Sequence, residues 1–240
     1  MESGKIIELS EDEPFCFDCQ SLVPCFNECC RDLNQFLTPY DIVRLKNHFK
    51  LSSSDFLKRY TTEHIGPQTG LPVITITPAD RFERICPFVT PSGCSVYKNR
   101  PSSCRMYPVV RVLSRSREDG KKEIRYALLK ENHCRGFEQK RQLTVREWMA
   151  GQGLSPYNGM NDLMMDIISL KNQYIPGPLK GDAQQLFYTM CYDIDRLKEV
   201  GTVPGLEKIE ISDEVQNDDA ELLRFGMNYL KNYFLAHQSI

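Results

Sequence analysis

CFDCQSLVPCFNECC, residues 16–30, places five of the chain's 10 cysteines in one short run. Two residues separate Cys16 from Cys19, five separate Cys19 from Cys25, three separate Cys25 from Cys29, and Cys30 follows at once. A thiolate is a soft, charged ligand suited to Zn²⁺ and to iron–sulfur clusters. Crowding thiols without a metal sets reactive groups side by side to no stabilising end. A bound metal offsets that cost and adds folding free energy. The run therefore reads as an irregular, ligand-bearing centre around which the rest of the chain is built.

The adjacent pair Cys29 and Cys30 narrows the reading. Neighbouring side chains diverge by about 100° in a helix and point to opposite faces of a strand. Together they are poorly placed on one mononuclear zinc, but they suit two metal centres or two irons of a larger cluster. A simple zinc site would show two C-x-x-C knuckles; only Cys16 and Cys19 have that spacing. The common ferredoxin runs also differ. A polynuclear centre is expected, with iron–sulfur preferred to zinc.

Working outward, Cys86, Cys94 and Cys104 form a second group, Cys134 follows, and Cys191 stands alone. The 240 residues suffice for one large domain or for a domain with an extension. The divisions expected are a tail over 1–14, a cysteine-cluster metal-binding domain over 15–155 and a helical extension over 156–240. The net charge of -2 gives no case for nucleic acid or an anionic membrane. The acidic start MESGKIIELSEDEP does not resemble a secretory leader. No apolar run reaches the roughly 18 residues that span a bilayer. A cytoplasmic location is expected, and in a reducing compartment clustered cysteines are metal ligands or redox groups rather than disulfides.

The fold class expected is α+β: a cysteine-rich metal-centred core, a small antiparallel sheet, surrounding helices and C-terminal helices. In FLTPYDIVRLKNHF, Thr38 suits an N-cap, Pro39 the first helical position and Asp41 the first turn. Ile42, Leu45 and Phe49 follow at helical spacing. A short helix should start in the SSSD run, with Phe56, Leu57 and Tyr60 as its apolar side. LPVITI (71–76) reads as a strand, 85–89 and 107–113 as further strands, and 123–129 as the return of a hairpin turned by EDGK. Pro87, Pro101 and Pro108 argue against helix across the second cysteine group. Thr144 to Glu147 has the form of a capping box. Helices are expected over 161–172, 182–199 and 213–236, separated by IPGP and GTVPG.

Four blocks in order carry a family resemblance: CQSLVPCFNECC from Cys19, then FLTPYDIVRLK, then CPFVTPSGCSVYKNRPSSCRMYP from Cys86, then HCRGF with His133 and Cys134. Over about residues 15–155 the chain resembles the YkgJ family of zinc- or iron-chelating CxxxCC domains. The resemblance implies metal ligation by Cys19, Cys25, Cys29, Cys30, Cys86, Cys94, Cys104 and Cys134. Cys16 lies just outside the motif and reads as a packed or exposed thiol, Cys191 as a small buried hydrophobe. Asp41 matches an LTxxD element and reads as a helix-start residue. Arg100, Arg105 and Tyr107 accompany the third block, and Arg105 reads equally as a sulfur-neutralising group or a surface ion pair. His133 is the one histidine with a claim to metal, and the thiolates can do without it. The basic stretch Arg111, Arg115, Arg117, Lys121, Lys122 and Arg125 reads as a solvated hairpin. No P-loop, G-x-G-x-x-G or G-x-S-x-G is present.

Three functions fit: an iron–sulfur protein with a redox or undefined enzymatic role, a zinc-bound structural or metal-handling protein, and a methyltransferase-like enzyme. The last follows from a related cysteine-motif group, the flagellin lysine methylases, and implies S-adenosylmethionine. The C-terminal helices leave room for a protein partner. Catalytic residues and oligomeric state are left open.

Overall fold

A computed structural model describes residues 4–80, 82–116, 121–199 and 211–237. In chain order its elements are β1 (Lys5–Leu9), β2 (Pro14–Cys16), β3 (Phe36–Leu37), α1 (Pro39–Phe49), α2 (Ser53–Tyr60), β4 (Thr61–Ile65), β5 (Pro72–Ile76), β6 (Val89–Thr90), β7 (Gly93–Cys94), α3 (Ser102–Met106), β8 (Val109–Arg115), β9 (Lys122–Lys130), β10 (Gln142–Thr144), α4 (Val145–Gly151), α5 (Ser155–Tyr174), α6 (Gly181–Cys191), α7 (Asp213–Gln216) and α8 (Asp219–Ala236). The fold is α+β, with several small antiparallel sheets rather than one.

The chain divides into two units, both discontinuous: Met1–Leu33 with Pro78–Pro156, and Asn34–Thr77 with Tyr157–Ile240. The segment containing α1 and α2 therefore belongs with the C-terminal helices and not with the cysteines. The reason is chemical. Helix α1 buries Ile42, Val43, Leu45 and the charged Lys46, and the acidic partners of Lys46 are Asp195 and Asp219.

In the first unit, strands pair in the order β1-β9-β8, and β10 pairs with β2. Residues 5–9 are thus no free tail: Lys5 faces Lys130 and Leu9 faces Tyr126. The β8–β9 hairpin lies where it was expected; residues 118–120 of its EDGK turn fall outside the described residues. The strand expected over 85–89 shrinks to the two-residue β6. The core gathers Phe15, Phe17, Val109, Leu128, Cys134, Leu143, Val145 and Trp148. Phe17 meets Phe137 and Trp148 edge-on at 5.2 and 5.3 Å, a favoured aromatic geometry. Trp148 Nε1 donates to the Met106 carbonyl at 2.9 Å. Helix α3 carries Cys104, contrary to expectation. Pro101 occupies its N-cap position and Pro108 follows its end, so the prolines frame the helix without interrupting its hydrogen bonds.

In the second unit, strands run β3-β5-β4, and β5 alternates, burying Pro72, Ile74 and Ile76. Thr38 Oγ1 accepts from the Asp41 N–H, and Asp41 Oδ2 accepts from the Thr38 N–H, a reciprocal cap. Asp41 thus holds the helix start as its position suggested. The segment 182–199 separates into α6 and a 3-10 turn at Ile194–Lys198, and 213–236 into α7 and α8. The GTVPG break lies outside the described residues. A Cβ on Gly226 would stand 2.6 Å from the Met190 carbonyl oxygen, so glycine is what lets α8 approach α6 this closely. Lys46 and Lys198 each bridge Asp195 and Asp219 in a network of four charges. No described helix is long and apolar enough to cross a membrane.

Candidate metal centre

The first unit contains every cysteine singled out as a ligand. Two backbone arrangements bring most of them together. The first is a ladder between residues 30–33 and 83–86. The Cys86 N–H donates to the Cys30 carbonyl at 2.9 Å, and the Leu33 N–H to the Arg84 carbonyl at 2.9 Å. Cys30 and Cys86 are thereby set beside each other, 56 positions apart in sequence. The Asn27 side chain donates to the Thr90 carbonyl at 3.0 Å, tying the 16–30 run to the β6–β7 hairpin that carries Cys94.

The second arrangement brings in HCRGF. The Phe17 N–H donates to the Arg141 carbonyl and the Asp18 N–H to the Gly136 carbonyl. A Cβ on Gly136 would lie 2.5 Å from the Phe17 ring and 2.9 Å from the Asp18 carbonyl oxygen. Glycine is needed for this close approach, which carries Cys134 to the rim of the first cysteine run. The Arg135 N–H then donates to the Cys25 sulfur at 3.1 Å.

Electrostatics follow from the grouping. The single S–H of Cys30 is shared between the neighbouring Cys29 and Cys86 sulfurs, and this, with burial, pushes its own pKa up. Through the same sharing Cys29 is pulled below the ordinary thiol range, and Cys86 falls to about 7. Desolvation, then the nearby Cys29, Cys25 and Cys134, raises Cys19 to about 11. Burial raises Cys134, against the Tyr107 hydroxyl, which favours its thiolate. Burial also raises Cys94, partly countered by the Val96 N–H and the Arg100 charge. Arg100 is itself depressed by desolvation and held up in part by Tyr97, Cys104 and Cys94.

The guanidinium of Arg100, 3.8 Å from the Tyr97 ring centroid, is thus a cation beside Cys94 and Cys104. Arg105 donates to the Gln152 carbonyl at 2.7 Å and to the Lys98 carbonyl, fastening α3 in place. His133 stands 3.8 Å from Glu131 at the surface. Cys16 is exposed and Cys191 buried.

Among the described residues no three Cys, His, Asp or Glu side chains converge on a common ion position; the sulfurs are neighbours as thiols. Cys104 is exposed on α3 and joins the others through Arg100. The donor set nevertheless fits zinc or iron: soft sulfurs, Cys86 bonded through its N–H to the Cys30 carbonyl beside Cys29, a backbone N–H on Cys25, and the buried Tyr107 hydroxyl near Cys134. Sequence reasoning missed the neighbourhood of Tyr107 and Cys134. The hint available was a tyrosine within the Cys104 block, followed by a hairpin long enough to return the chain to Cys134.

The family model CxxCxxCC, described as "Putative zinc- or iron-chelating domain", matches residues 18–135. That span takes in all eight cysteines placed on the motif and leaves out Cys16 and Cys191. No curated protein and no solved structure matches the chain. The match supports metal binding, as zinc or iron chelation. Over residues 18–135 the chain matches this family of cysteine-cluster chelating domains, in keeping with the YkgJ-like motifs of its sequence.

Proposed function

We propose that the protein holds an iron–sulfur cluster in its first unit and serves a redox or enzymatic role in the cytoplasm. Cys19, Cys25, Cys29, Cys30, Cys86, Cys94, Cys104 and Cys134 are its ligands in this reading. The observation that carries it is the backbone bond from the Cys86 N–H to the Cys30 carbonyl at 2.9 Å, which sets Cys86 beside two cysteines adjacent in sequence. When bound, such a cluster supplies one-electron transfer or oxidation sensing. The chain's own part is to hold and shield it. Arg100 offsets negative charge at Cys94 and Cys104, the Arg135 N–H orients the Cys25 sulfur, and Phe17 and Trp148 wall off one side from water.

A zinc-bound structural role is the second reading. The short strands and turns of this region favour it, since a metal would bind such loops into one body. The methyl-transfer reading rests on the resemblance to flagellin lysine methylases and requires saturable S-adenosylmethionine binding by the metal-loaded protein.

The deciding experiment is metal and acid-labile sulfide content after oxygen-free purification of wild type, Cys29→Ser/Cys30→Ser and Cys16→Ser. Iron and sulfide in near-equal amounts, lost in the double variant and kept in Cys16→Ser, support the cluster. Zinc without sulfide favours the structural role. No metal in wild type refutes both.

A further inference from the structure

The Tyr107 hydroxyl is buried and makes no well-formed hydrogen bond among the described residues. Its ring is nonetheless firmly placed. It meets Phe17 edge-on at 6.0 Å and packs against the core cluster that includes Cys134. Its backbone N–H donates to the Ser103 carbonyl at 3.0 Å at the end of α3. The Cys134 sulfur and the Glu131 carboxylate are the acceptors that act on the hydroxyl. Glu131 is partly exposed and stands opposite His133, where water can serve it.

Burying a hydroxyl without a partner gives up hydration and regains nothing. Phenylalanine would fill the same space without that cost, so the hydroxyl calls for an acceptor present in another state of the protein. A neutral thiol is a weak acceptor, whereas a charged acceptor makes a shorter and stronger bond. Metal ligation converts a cysteine sulfur to the charged form.

We propose that Tyr107 is a positioning residue for the metal centre: its hydroxyl donates to the Cys134 sulfur once that sulfur is held by metal. It would act beside the Arg135 N–H, which already donates to Cys25 from the same HCRGF segment. This inference rests on the reading of Cys134 as a ligand. Its consequence is a residue neutral or costly to the metal-free protein and favourable to the loaded one.

The test uses Co²⁺ on wild type, Tyr107→Phe and Cys134→Ser under oxygen-free conditions. Phenylalanine keeps the ring and its contact with Phe17. Loss of a hydrogen bond to a ligating sulfur should move the sulfur-to-cobalt charge-transfer band to lower energy and weaken cobalt affinity by about 10- to 100-fold. The metal-free Tyr107→Phe protein should melt no earlier than wild type. An unchanged band and affinity would overturn the inference, as would a metal-free variant that melts earlier, because the hydroxyl would then already have a partner. If wild type and Cys134→Ser bind cobalt alike, Cys134 is no ligand and the inference falls while metal binding stands. If wild type takes up no cobalt, both fall.

Discussion

Lys46→Met tests the charge network that fastens α1 in the second unit. The Lys46 side chain is only 4% exposed and bonds Asp219 at 2.7 Å and Asp195 at 3.0 Å. Removing one partner of a buried ion pair costs about 3–5 kcal/mol when the other charge is left uncompensated. Here the carboxylates keep Lys198, at 2.8 and 3.0 Å, and Asp195 also accepts from the Ser53 N–H at 2.7 Å. Lys198 is 33% exposed and partly screened, so it compensates incompletely. These offsets lower the expected loss to about 2–3 kcal/mol.

The loss should depend on pH. Burial works to raise both carboxylates, but hydrogen bonds from Lys198 and Lys46, with the Ser53 N–H at Asp195, outweigh it and hold both below the ordinary range. A depressed carboxylate contributes stability above its unfolded pKa and loses it as pH falls through the folded value. The penalty of Lys46→Met should therefore be full near neutrality and shrink below about pH 4. Urea unfolding followed by far-UV circular dichroism reports the helices of this unit. Fluorescence of Trp148, the chain's one tryptophan, reports the first unit's core separately. A penalty under about 1 kcal/mol at neutral pH, or one that persists unchanged in acid, would refute the reasoning.

Other substitutions probe other contacts. Gly226→Ala drives a Cβ to 2.6 Å from the Met190 carbonyl oxygen; the overpacking should cost about 1–3 kcal/mol, read as a lower thermal midpoint, and an unchanged midpoint would mean that the α6–α8 approach is soft. Cys191 is fully buried and its thiol is raised by that burial. It should resist thiol reagents in the native protein, react after unfolding, and leave metal content unchanged when replaced by alanine.

Legibility in the sequence followed the range of the interactions involved. The Thr38–Asp41 and Thr144–Glu147 caps are contained in four residues each, and both form. The alternation of β5 was visible because one sheet face is buried. In contrast, β1 is exposed along nearly all its length and carries no periodic signal; its partner β9 lies more than 100 positions away. Cysteine density suggested one boundary near 155, but density says nothing about Lys46, whose partners lie near the other end of the chain. The candidate ligands could be named from spacing and resemblance, while their neighbours could not. Gly136 meeting Phe17 is a long-range packing fact, and the placement of Cys134 depends on it.

The interleaved units set a timetable for synthesis. At about 5–20 residues per second, the 56 positions from Cys30 to Cys86 take about 3–11 s to translate. Between the emergence of Cys30 and that of Cys86 the first five thiols stand outside the ribosome without the segment that will lie beside them, and Cys134 comes later still. The intervening residues 34–77 cannot settle either, because the charge that answers Lys46 sits 173 positions downstream at Asp219. The nascent chain thus carries a reactive, incomplete cysteine run over the 104 positions from Cys30 to Cys134. Its yield should depend on the reducing capacity around the ribosome more steeply than its finished structure does.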